Sequence, residues 1–289
     1  MPHQKSVLIT GCSDGGIGSA LAKAFQSHGL RVFATARTVS TMLSLEQLPA
    51  VALLSLDVTS STSIAAAVEA VKRDTNGTLD YLVNNAAINQ YSPALDIDIG
   101  QAKRMFDTNY WGALEVTQKF APLLIASKGT VVGISSISAH ANIPYCSALA
   151  GSKRSLEILM ETLRVELKPF GVNVLSVVTG VVRSNAQNWK HFEDWKLPDE
   201  SIYKSLESQI HEHIQEKDGV YNDGAVRVDT VQHARKLADK ILAGTTGTIW
   251  IGGQAGAVRF ATTYLPQFVL DKMVSAGYGL EKLAKGAAK

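Results

Sequence analysis

The stretch from residue 6 to residue 18, SVLITGCSDGGIG, decides the fold of this chain. Residues 6–11 form a short apolar run, typical of a buried strand, which ends in a glycine-rich turn. Residues 19–28 follow with apolar side chains at helical spacing, and Gly29 closes that helix. Such a turn suits a pyrophosphate, because the backbone comes close to the ligand and the helix N-terminus offers free N–H groups. The sequence therefore predicts a nucleotide site at its start.

The alternation of strand and helix continues along the chain. Further strands are predicted at residues 31–37, 50–58, 79–85, 130–135, 172–178 and 248–251, and further helices at 61–73, 98–121, 150–167 and 231–242. This alternation predicts an α/β fold: a single doubly wound, Rossmann-type parallel sheet of seven strands with helices on both faces. We place the domain at residues 1–255, with a substrate lid at 183–229 and an amphipathic C-terminal extension at 256–289.

Composition narrows the class of protein. The 289 residues are 46% hydrophobic and 19% charged, enough for one large core. The net charge of +2 is spread along the chain, so no nucleic-acid partner is expected. The two cysteines lie far apart, which favours a reducing compartment, and no apolar run has signal-peptide or membrane-spanning length. We expect a cytoplasmic homo-oligomer, a dimer or a tetramer.

The C-terminal extension allows three interpretations. Residues 257–270 are apolar around Arg259, the apolar face continues to Val274, and Lys272, Lys282 and Lys285 supply charge. This pattern suits a helix lying on a lipid surface, which would make the protein peripheral on that surface. A subunit interface and a flap over the pocket are the other two interpretations.

Residues 131–153, VVGISSISAHANIPYCSALAGSK, carry the candidate chemistry. A buried strand runs into serines at Ser135, Ser136 and Ser138, and a helix carrying Lys153 follows. A hydroxyl at a strand end that faces a lysine on a helix can handle a carbonyl oxygen.

These stretches resemble the short-chain dehydrogenase/reductase family. The motifs appear in the family's order over residues 5–255: the glycine turn, Asp57-Val58, Asn84-Asn85-Ala86-Ala87, Asn109, Ser136 with Lys153, and Thr179-Gly180 with Val182. Ala87 replaces a glycine of the family pattern, and Thr179 replaces a proline. The TGCSDGGIG turn, the ATAR strand end, Lys168-Pro169-Phe170-Gly171, Ser201-Ile202-Tyr203 and the tail after the last predicted strand also resemble fungal 1-acyl-dihydroxyacetone-phosphate reductases and their relatives in fungal secondary metabolism.

The resemblance implies a nicotinamide cofactor and its binding residues. The glycine positions fall on Gly11, Gly16 and Gly18, with Gly15 accommodating one extra residue in the turn. The second strand ends at Arg37 without a carboxylate, and a guanidinium suits a 2′-phosphate, so we expect NADPH. The expected cofactor-binding residues are Gly11, Ser13, Gly16, Ile17, Gly18, Arg37, Asp57, Val58, Asn84, Ala86, Lys153 and Val182.

The resemblance also implies catalytic roles. Ser136 polarises the carbonyl, Lys153 binds the nicotinamide ribose, and Asn109 holds a water that passes protons to the lysine. The family's general acid is a tyrosine thirteen residues after the serine and four before the lysine, and this chain has Leu149 there. A leucine neither donates nor accepts, and losing a positioned acid typically costs on the order of 10² to 10⁴ in rate.

Several hypotheses account for that leucine. Tyr145 is the candidate substitute acid, with His140 and Tyr91 as further candidates. A reaction without a strong acid is the second hypothesis, since hydride addition to an iminium or a conjugated acceptor leaves no alkoxide to protonate. A non-redox dehydratase, isomerase or cyclase is the third, and an inactive NADPH-binding partner protein the fourth. The preferred prediction is an NADPH-dependent reductase of an apolar, lipid-, polyketide- or alkaloid-like substrate.

The predicted lid is rich in aromatic residues, which suits a cover over an apolar ligand. They are Trp189, Phe192, Trp195, Tyr203 and Tyr221. The histidines His191, His211 and His213 lack the companion ligands of a metal site, so no metal is expected.

Overall fold

The computed structural model describes residues 4–185, 195–215 and 227–286. Its strands are β1 (Ser6–Thr10), β2 (Arg31–Ala36), β3 (Val51–Ser55), β4 (Tyr81–Asn84), β5 (Thr130–Ser136), β6 (Asn173–Thr179), β7 (Val182–Arg183), β8 (Val228–Asp229) and β9 (Gly247–Ile251). Among the described residues, seven strands form one parallel sheet in the order β3-β2-β1-β4-β5-β6-β9, and β7 pairs with β8 apart from it. The predicted seven-stranded parallel sheet is confirmed.

Helices cover both faces of this sheet. The helices of the described residues are α1 (Ile17–Ser27), α2 (Leu43–Glu46), α3 (Ser61–Asp74), α4 (Ile99–Phe106), α5 (Ala113–Ser127), α6 (Ser147–Glu166), α7 (Glu207–Gln215), α8 (Thr230–Leu242), α9 (Ala255–Tyr264), α10 (Gln267–Ser275) and α11 (Leu280–Gly286). Helices α1 and α8 bury their apolar sides against one face, and α3, α5 and α6 against the other. The strands are apolar throughout because the sheet is covered on both sides.

Side-chain caps explain where three of the helices begin. The Ser60 hydroxyl accepts a hydrogen bond from the Ser63 N–H, and the Asp98 carboxylate accepts one from the Gln101 N–H. The Asp229 carboxylate does the same for the first turn of α8. Each cap satisfies an N–H that has no partner within the helix, which typically stabilises a helix by about 1 kcal/mol.

The predicted single helix over residues 98–121 is in fact interrupted. A π-helical turn, Asp107–Gly112, separates α4 from α5, and α5 continues past Pro122 to Ser127. A π-turn inserts one residue into the helical repeat and so rotates the side chains that follow it. The turn carries Asn109, which is buried.

The order of the strands creates a crevice. The chain goes outward from β1 to β2 and β3 and then returns to place β4 on the other side of β1. Where the order reverses, the connections leave β1 and β4 on opposite faces, and ligands of such sheets bind beside the carboxyl ends of those strands. The fold thus places the glycine turn after β1 and the asparagine motif after β4 at one edge.

The predicted lid lies only partly within the described residues. Trp189, Phe192, His191 and Tyr221 lie outside them. A compact apolar cluster forms from the rest of the lid, from the residues around Tyr145 and from the C-terminal extension. It contains Tyr145, Leu197, Leu206, Ile210 and Tyr278, with Trp195, Tyr203, Leu280 and Leu283 packed against it.

The C-terminal extension also carries exposed apolar side chains. Phe260 and Tyr264 on α9 and Phe268 and Met273 on α10 are more than half exposed. Within the described part of the chain, no helix combines the length and the hydropathy needed to cross a membrane.

Among the buried polar side chains that the structure describes, His233 is an imidazole in an apolar environment. His233 on α8 is fully buried, and neither ring nitrogen has a hydrogen-bond partner among the described residues. Burial lowers the pKa of His233 from 6.5 to about 4, because the charged form would lose its hydration.

His233 should make folding sensitive to acid. In the unfolded chain the imidazole protonates near pH 6.5, whereas the folded protein holds it neutral until about pH 4. Stability is therefore complete above pH 6.5 and is lost as the pH falls towards 4, by up to roughly 3 kcal/mol from this group. We expect His233→Leu to remove this loss, as measured by urea unfolding between pH 7.5 and 4.5. His28→Gln, at an exposed histidine, serves as the control. If the free energy of unfolding of His233→Leu falls with pH in parallel with that of wild type, His233 is not the source of the acid sensitivity.

Candidate functional site

A cavity of about 930 Å³ follows the carboxyl ends of the strands. It begins at the glycine turn and Arg37, passes the residues after β4, and ends at Ser136, Leu149 and Lys153. Ten of the twelve residues predicted to bind the cofactor line it: Gly11, Ser13, Gly16, Ile17, Arg37, Asp57, Val58, Ala86, Lys153 and Val182. The fold therefore joins the two halves of the sequence pattern in one continuous space.

The glycine turn accommodates its extra residue as expected. Gly15 has a φ of +75°, a conformation that side chains rarely adopt. The Gly16 N–H donates to the Ser13 carbonyl at 3.1 Å, which closes the turn immediately before α1. Asn185 binds this turn from outside, with its side-chain amide donating to the Asp14 carbonyl at 2.6 Å and its N–H donating to the Gly15 carbonyl at 3.1 Å.

Gly18 has a different role from the one expected. It is not among the residues that line the cavity, so the prediction of cofactor contact is corrected. A Cβ at this position would lie 2.3 Å from the Gly11 carbonyl oxygen and 2.6 Å from the Asn85 amide nitrogen. Gly18 is needed because helix α1 packs this closely against the end of β1.

The two asparagines of the motif have different roles. Asn84 is buried behind the cavity, where its amide donates to the Thr117 hydroxyl at 2.9 Å. Asn85 lines the cavity and donates to the carbonyl oxygens of Thr10 and Gly11, at 2.8 and 3.0 Å. Asn85 rather than Asn84 therefore lines the cavity, and the predicted cofactor contact at Asn84 is corrected. Asn84 is the last residue of β4, whereas Asn85 begins the loop that follows the strand.

The end of the cavity at the glycine turn and Arg37 is charged. Arg37 follows β2 and is exposed, and it lines the same cavity as Ser13. Asp57 accepts hydrogen bonds from the Thr59 N–H and hydroxyl, and these bonds lower the pKa of its carboxyl, with a smaller contribution from the charge of Arg37. The Ser13 hydroxyl lies 2.9 Å from the Thr41 hydroxyl, which fixes the serine at the entrance.

Lys153 is buried at the other end. Its ammonium nitrogen Nζ donates to the Ile134 carbonyl oxygen at 2.8 Å. Burial lowers the pKa of Lys153 to about 8, and the nearby charge of Glu157 opposes that shift. Leu149 lies one helical turn before it on α6 and lines the same cavity, with only 8% of its surface exposed. An apolar side chain thus occupies the position that the family pattern gives to its acid.

Glu157 is a buried carboxylate that sequence reasoning missed. It accepts from the Ser135 hydroxyl, and its other oxygen lies 2.7 Å from His140 Nε2 and 3.0 Å from the Arg154 guanidinium. Its spacing of four residues after Lys153 would have placed both on one helix face, which is the signal that was available. Buried carboxylates need such partners, since an uncompensated charge is costly.

Tyr145 does not lie where a substitute acid would have to be. Its hydroxyl donates to the Tyr278 carbonyl at 2.8 Å, and the ring packs in the apolar cluster outside the cavity lining. Burial raises the pKa of Tyr145 to about 12, with further contributions from Tyr203 and Glu281, so the phenol is a poor acid. The prediction of a catalytic Tyr145 is corrected. His140 is engaged by Glu157 and is likewise absent from the lining, whereas Tyr91 lines the cavity.

Asn109 acts by holding the walls of the site together. Its side chain donates to the Ile88 carbonyl and to the Ser152 hydroxyl, both at 3.0 Å, and accepts from the Ile88 N–H at 2.9 Å. These bonds join the loop after β4 to helix α6. Asn109 does not itself line the cavity, although its neighbour Thr108 does.

Two hydroxyls at this end of the cavity were not predicted as site residues. Ser138 and Thr179 are among the residues that line the cavity, but both are more than nine-tenths buried and their hydroxyl oxygens are closed to solvent. Neither hydroxyl has a hydrogen-bond partner within the part of the chain that the structure describes. A buried polar group without a partner costs about 1–3 kcal/mol, so such groups usually await a ligand or a water.

Comparisons with known proteins decide the family. Residues 5–194 match the family described as short chain dehydrogenase. The chain is 41% identical to the short-chain dehydrogenase ptmH of Penicillium ochrochloron over 269 residues, which is 93% of this chain and 96% of that protein. The chain belongs to the short-chain dehydrogenase family.

Further relatives agree with this assignment. The NADPH-dependent 1-acyldihydroxyacetone phosphate reductase of Schizosaccharomyces pombe is 40% identical over 205 residues, covering 70% of this chain and 69% of the relative. Among solved structures, a short chain dehydrogenase of Burkholderia cenocepacia in complex with NADP superposes with a TM-score of 0.73 at 22% identity, covering 95% of this chain and 99% of that one. The predicted family and the predicted similarity to fungal members are confirmed.

The place of Tyr145 outside the cavity lining leads to a prediction. Tyr145→Phe removes one buried hydrogen bond to the Tyr278 carbonyl but leaves the ring in the cluster. We expect the free energy of unfolding to fall by about 1 kcal/mol, as measured by urea denaturation. Turnover of a reducible substrate should stay near the wild-type value, because the phenol does not reach the cavity. A loss of 100-fold or more in kcat at unchanged stability would restore Tyr145 as the acid.

Proposed function

We propose that this protein is an NADPH-dependent reductase that acts on an apolar substrate by a mechanism without the family's tyrosine. The supporting observation is the continuity of the cavity. It connects a glycine turn and a basic residue at one end with a serine, a leucine and a buried lysine at the other. A protein that only bound the cofactor would not need the end of the cavity that holds the serine, the leucine and the lysine.

The residues present fit NADPH. The N–H groups at the start of α1, where no side-chain cap occupies them, would hold the pyrophosphate, while Arg37 and Ser13 would hold the 2′-phosphate. Asp57 and Val58 would contact the adenine, and Lys153 the nicotinamide ribose. When bound, this cofactor supplies a hydride. The fission-yeast relative is named as NADPH-dependent, and the Burkholderia neighbour is a complex with NADP, which supports the same choice.

Arg37 should set the preference for NADPH over NADH. Arg37→Gln removes the charge but keeps a similar length, so we expect NADPH affinity to fall about tenfold or more while NADH affinity changes little. The dissociation constants can be measured by cofactor fluorescence titration. Arg73→Gln, an exposed arginine on α3 away from the cavity, is the matched control. Equal losses for both cofactors would show that Arg37 does not contact the 2′-phosphate.

The substrate end of the cavity favours an apolar molecule. Tyr91, Ile143, Cys146 and Leu149 line it. Burial raises the pKa of Cys146 to about 12, so this thiol stays neutral and packs as a small apolar group. Polar residues line it as well, among them Ser136 at the end of β5, Lys153 on α6 and Asn89 after β4, and the reacting group would lie beside them. A lipid-, polyketide- or alkaloid-like substrate with a single polar reacting group fits such a surface.

Hydride addition to a carbonyl leaves an alkoxide that needs a proton, and the site can meet this need in two ways. Lys153 lines the cavity as an ammonium with a lowered pKa, so it can release a proton from Nζ more readily than an ordinary lysine. It would pass that proton to the oxygen of a reduced carbonyl and recover one from water. Alternatively, a substrate that is already an iminium needs no proton after reduction, and Lys153 then only binds.

Leu149 supports a second candidate function. Because it removes the ordinary acid while the cofactor residues are retained, the pocket would also suit a non-redox dehydratase, isomerase or cyclase with the cofactor as a bystander. A protein that only binds NADPH, as a partner of another enzyme, is a further alternative.

A labelling experiment separates these functions. The purified protein is incubated with a panel of apolar ketones and cyclic imines and with NADPH deuterated at C4, and NADPH absorbance and product mass are followed together. We expect one NADPH consumed for each product and one deuterium in that product. Product without NADPH consumption or label would establish the non-redox alternative. NADPH binding without any product would leave the binding-only alternative, and Ser136→Ala controls for reduction outside the site.

A further inference from the structure

Asp14 lies in the enlarged part of the glycine turn, between Ser13 and Gly15. The turn is one residue longer than the family pattern, and Asp14 bonds to two segments that lie outside it. Its N–H donates to the Thr41 carbonyl at 2.8 Å, and its carbonyl accepts from the Asn185 side chain at 2.6 Å. The longer turn therefore places a polar residue where it can bind the neighbouring segments.

The carboxylate of Asp14 binds the segment that follows Arg37. Its oxygen Oδ1 accepts from the Ser44 hydroxyl at 2.6 Å and from the Ser44 N–H at 3.3 Å, and Oδ2 accepts from the same N–H at 3.1 Å. Ser44 lies on α2, directly after the residues that connect it to β2. Hydrogen bonds to an ionised acceptor are roughly twice as strong as those between neutral groups. The carboxylate thus fixes residues 38–44 against the glycine turn.

A weaker contact joins the same two segments through hydroxyl groups. The exposed Ser13 and Thr41 have their hydroxyl oxygens 2.9 Å apart, and the Thr41 hydroxyl donates to the Thr38 carbonyl at 2.7 Å. Because each hydroxyl has one proton, Ser13 is the donor in its contact with Thr41. A 2′-phosphate has only acceptor oxygens, so Ser13 must release Thr41 before it can bind one. Asp14 would then hold the two segments together.

The side chain of Asp14 has two opposite effects on a phosphate. Asp14 lines the cavity, as Ser13, Arg37 and Thr41 do, and a carboxylate repels a phosphate placed near it. Its hydrogen bonds, in contrast, hold the residues that would bind the phosphate. The short contact with Ser44 and the donors on both carboxylate oxygens favour the second effect.

We propose that Asp14 is a positioning residue for NADPH, whose carboxylate holds residues 38–44 against the glycine turn and so keeps Arg37 and Ser13 in place for the 2′-phosphate. This inference rests on the proposed use of NADPH and names a residue that strengthens the preference over NADH. Asp14 acts through the loop, because the ligand would otherwise have to order that loop as it binds.

Three variants separate the hydrogen bonds of Asp14 from its charge. Asp14→Ala removes both, whereas Asp14→Asn removes the charge and keeps an oxygen that can accept from Ser44. Ser44→Ala removes the hydroxyl donor and keeps the carboxylate. Glu46→Gln is the matched control, because Glu46 is an exposed carboxylate on α2 that does not line the cavity. The variants should fold, because the buried Met42 and Leu45 hold the same segment in the core.

The dissociation constants of NADPH and NADH are measured by cofactor fluorescence titration. We expect Asp14→Ala to weaken NADPH binding about fivefold or more and to change NADH binding less than about twofold, since only NADPH needs the placed loop. Ser44→Ala should change the two constants in the same direction, and the double variant should be no weaker than Asp14→Ala alone. Asp14→Asn and Glu46→Gln should stay within about twofold of wild type.

Four results would overturn the inference. Wild-type constants for Asp14→Ala would show that the loop needs no support from this residue. Tighter NADPH binding by Asp14→Ala and Asp14→Asn alike would show that the carboxylate acts only by its charge. Equal losses for NADPH and NADH would indicate a general effect on the turn. Additive losses in the double variant would show that Asp14 does not act through Ser44.

Failure of the proposed function gives a different pattern. If wild type binds NADPH no more tightly than NADH, the proposed preference for NADPH is wrong, and the role of Asp14 is rejected with it. If wild type prefers NADPH but transfers no hydride to any substrate, the reductase function fails, and the binding constants of the variants still decide the role of Asp14.

Discussion

A buried positive charge at Lys153 constrains the whole site. An ammonium removed from water must be compensated by nearby dipoles or charges. The Ile134 carbonyl and Glu157 provide that compensation from the end of β5 and from the next turn of α6. Glu157 in turn needs its own partners, and Ser135 and His140 meet this need. The strand end, the following loop and the helix are therefore held in one arrangement by a chain of polar contacts that begins at the lysine.

The cofactor half and the substrate half obey different constraints. At the cofactor half, backbone geometry dominates. Few residue types are tolerated there, because the turn is tight, a helix begins directly after it, and Gly18 packs closely against the end of β1. At the substrate half, side-chain chemistry dominates, and the apolar Leu149 lines the cavity there from the regular helix α6. The family fold is compatible with either a conventional or an altered active site, because leucine packs in a helix at least as well as tyrosine.

The sequence predicted what depends on local pattern. Apolar strands, a helical repeat and glycines before α1 were enough for the sheet, whereas the expected cofactor residues came from the resemblance to the family. It could not decide between Asn84 and Asn85, because their opposite orientations depend on exactly where β4 ends. It also placed Tyr145 in the pocket, whereas the residue has a φ of +67° and binds a carbonyl 133 residues later in the chain. Such long-range contacts leave no trace in local periodicity.

The contact between Tyr145 and Tyr278 ties the end of the chain to the substrate pocket. Tyr91 and Ile143 touch both the cavity and the apolar cluster that includes Tyr278. The C-terminal segment is therefore part of the support for the pocket wall, although it follows the last strand of the sheet and lies far in sequence from the cofactor residues. Exchanging that segment between related proteins would offer a modular way to alter substrate choice while the nucleotide-binding half stays the same.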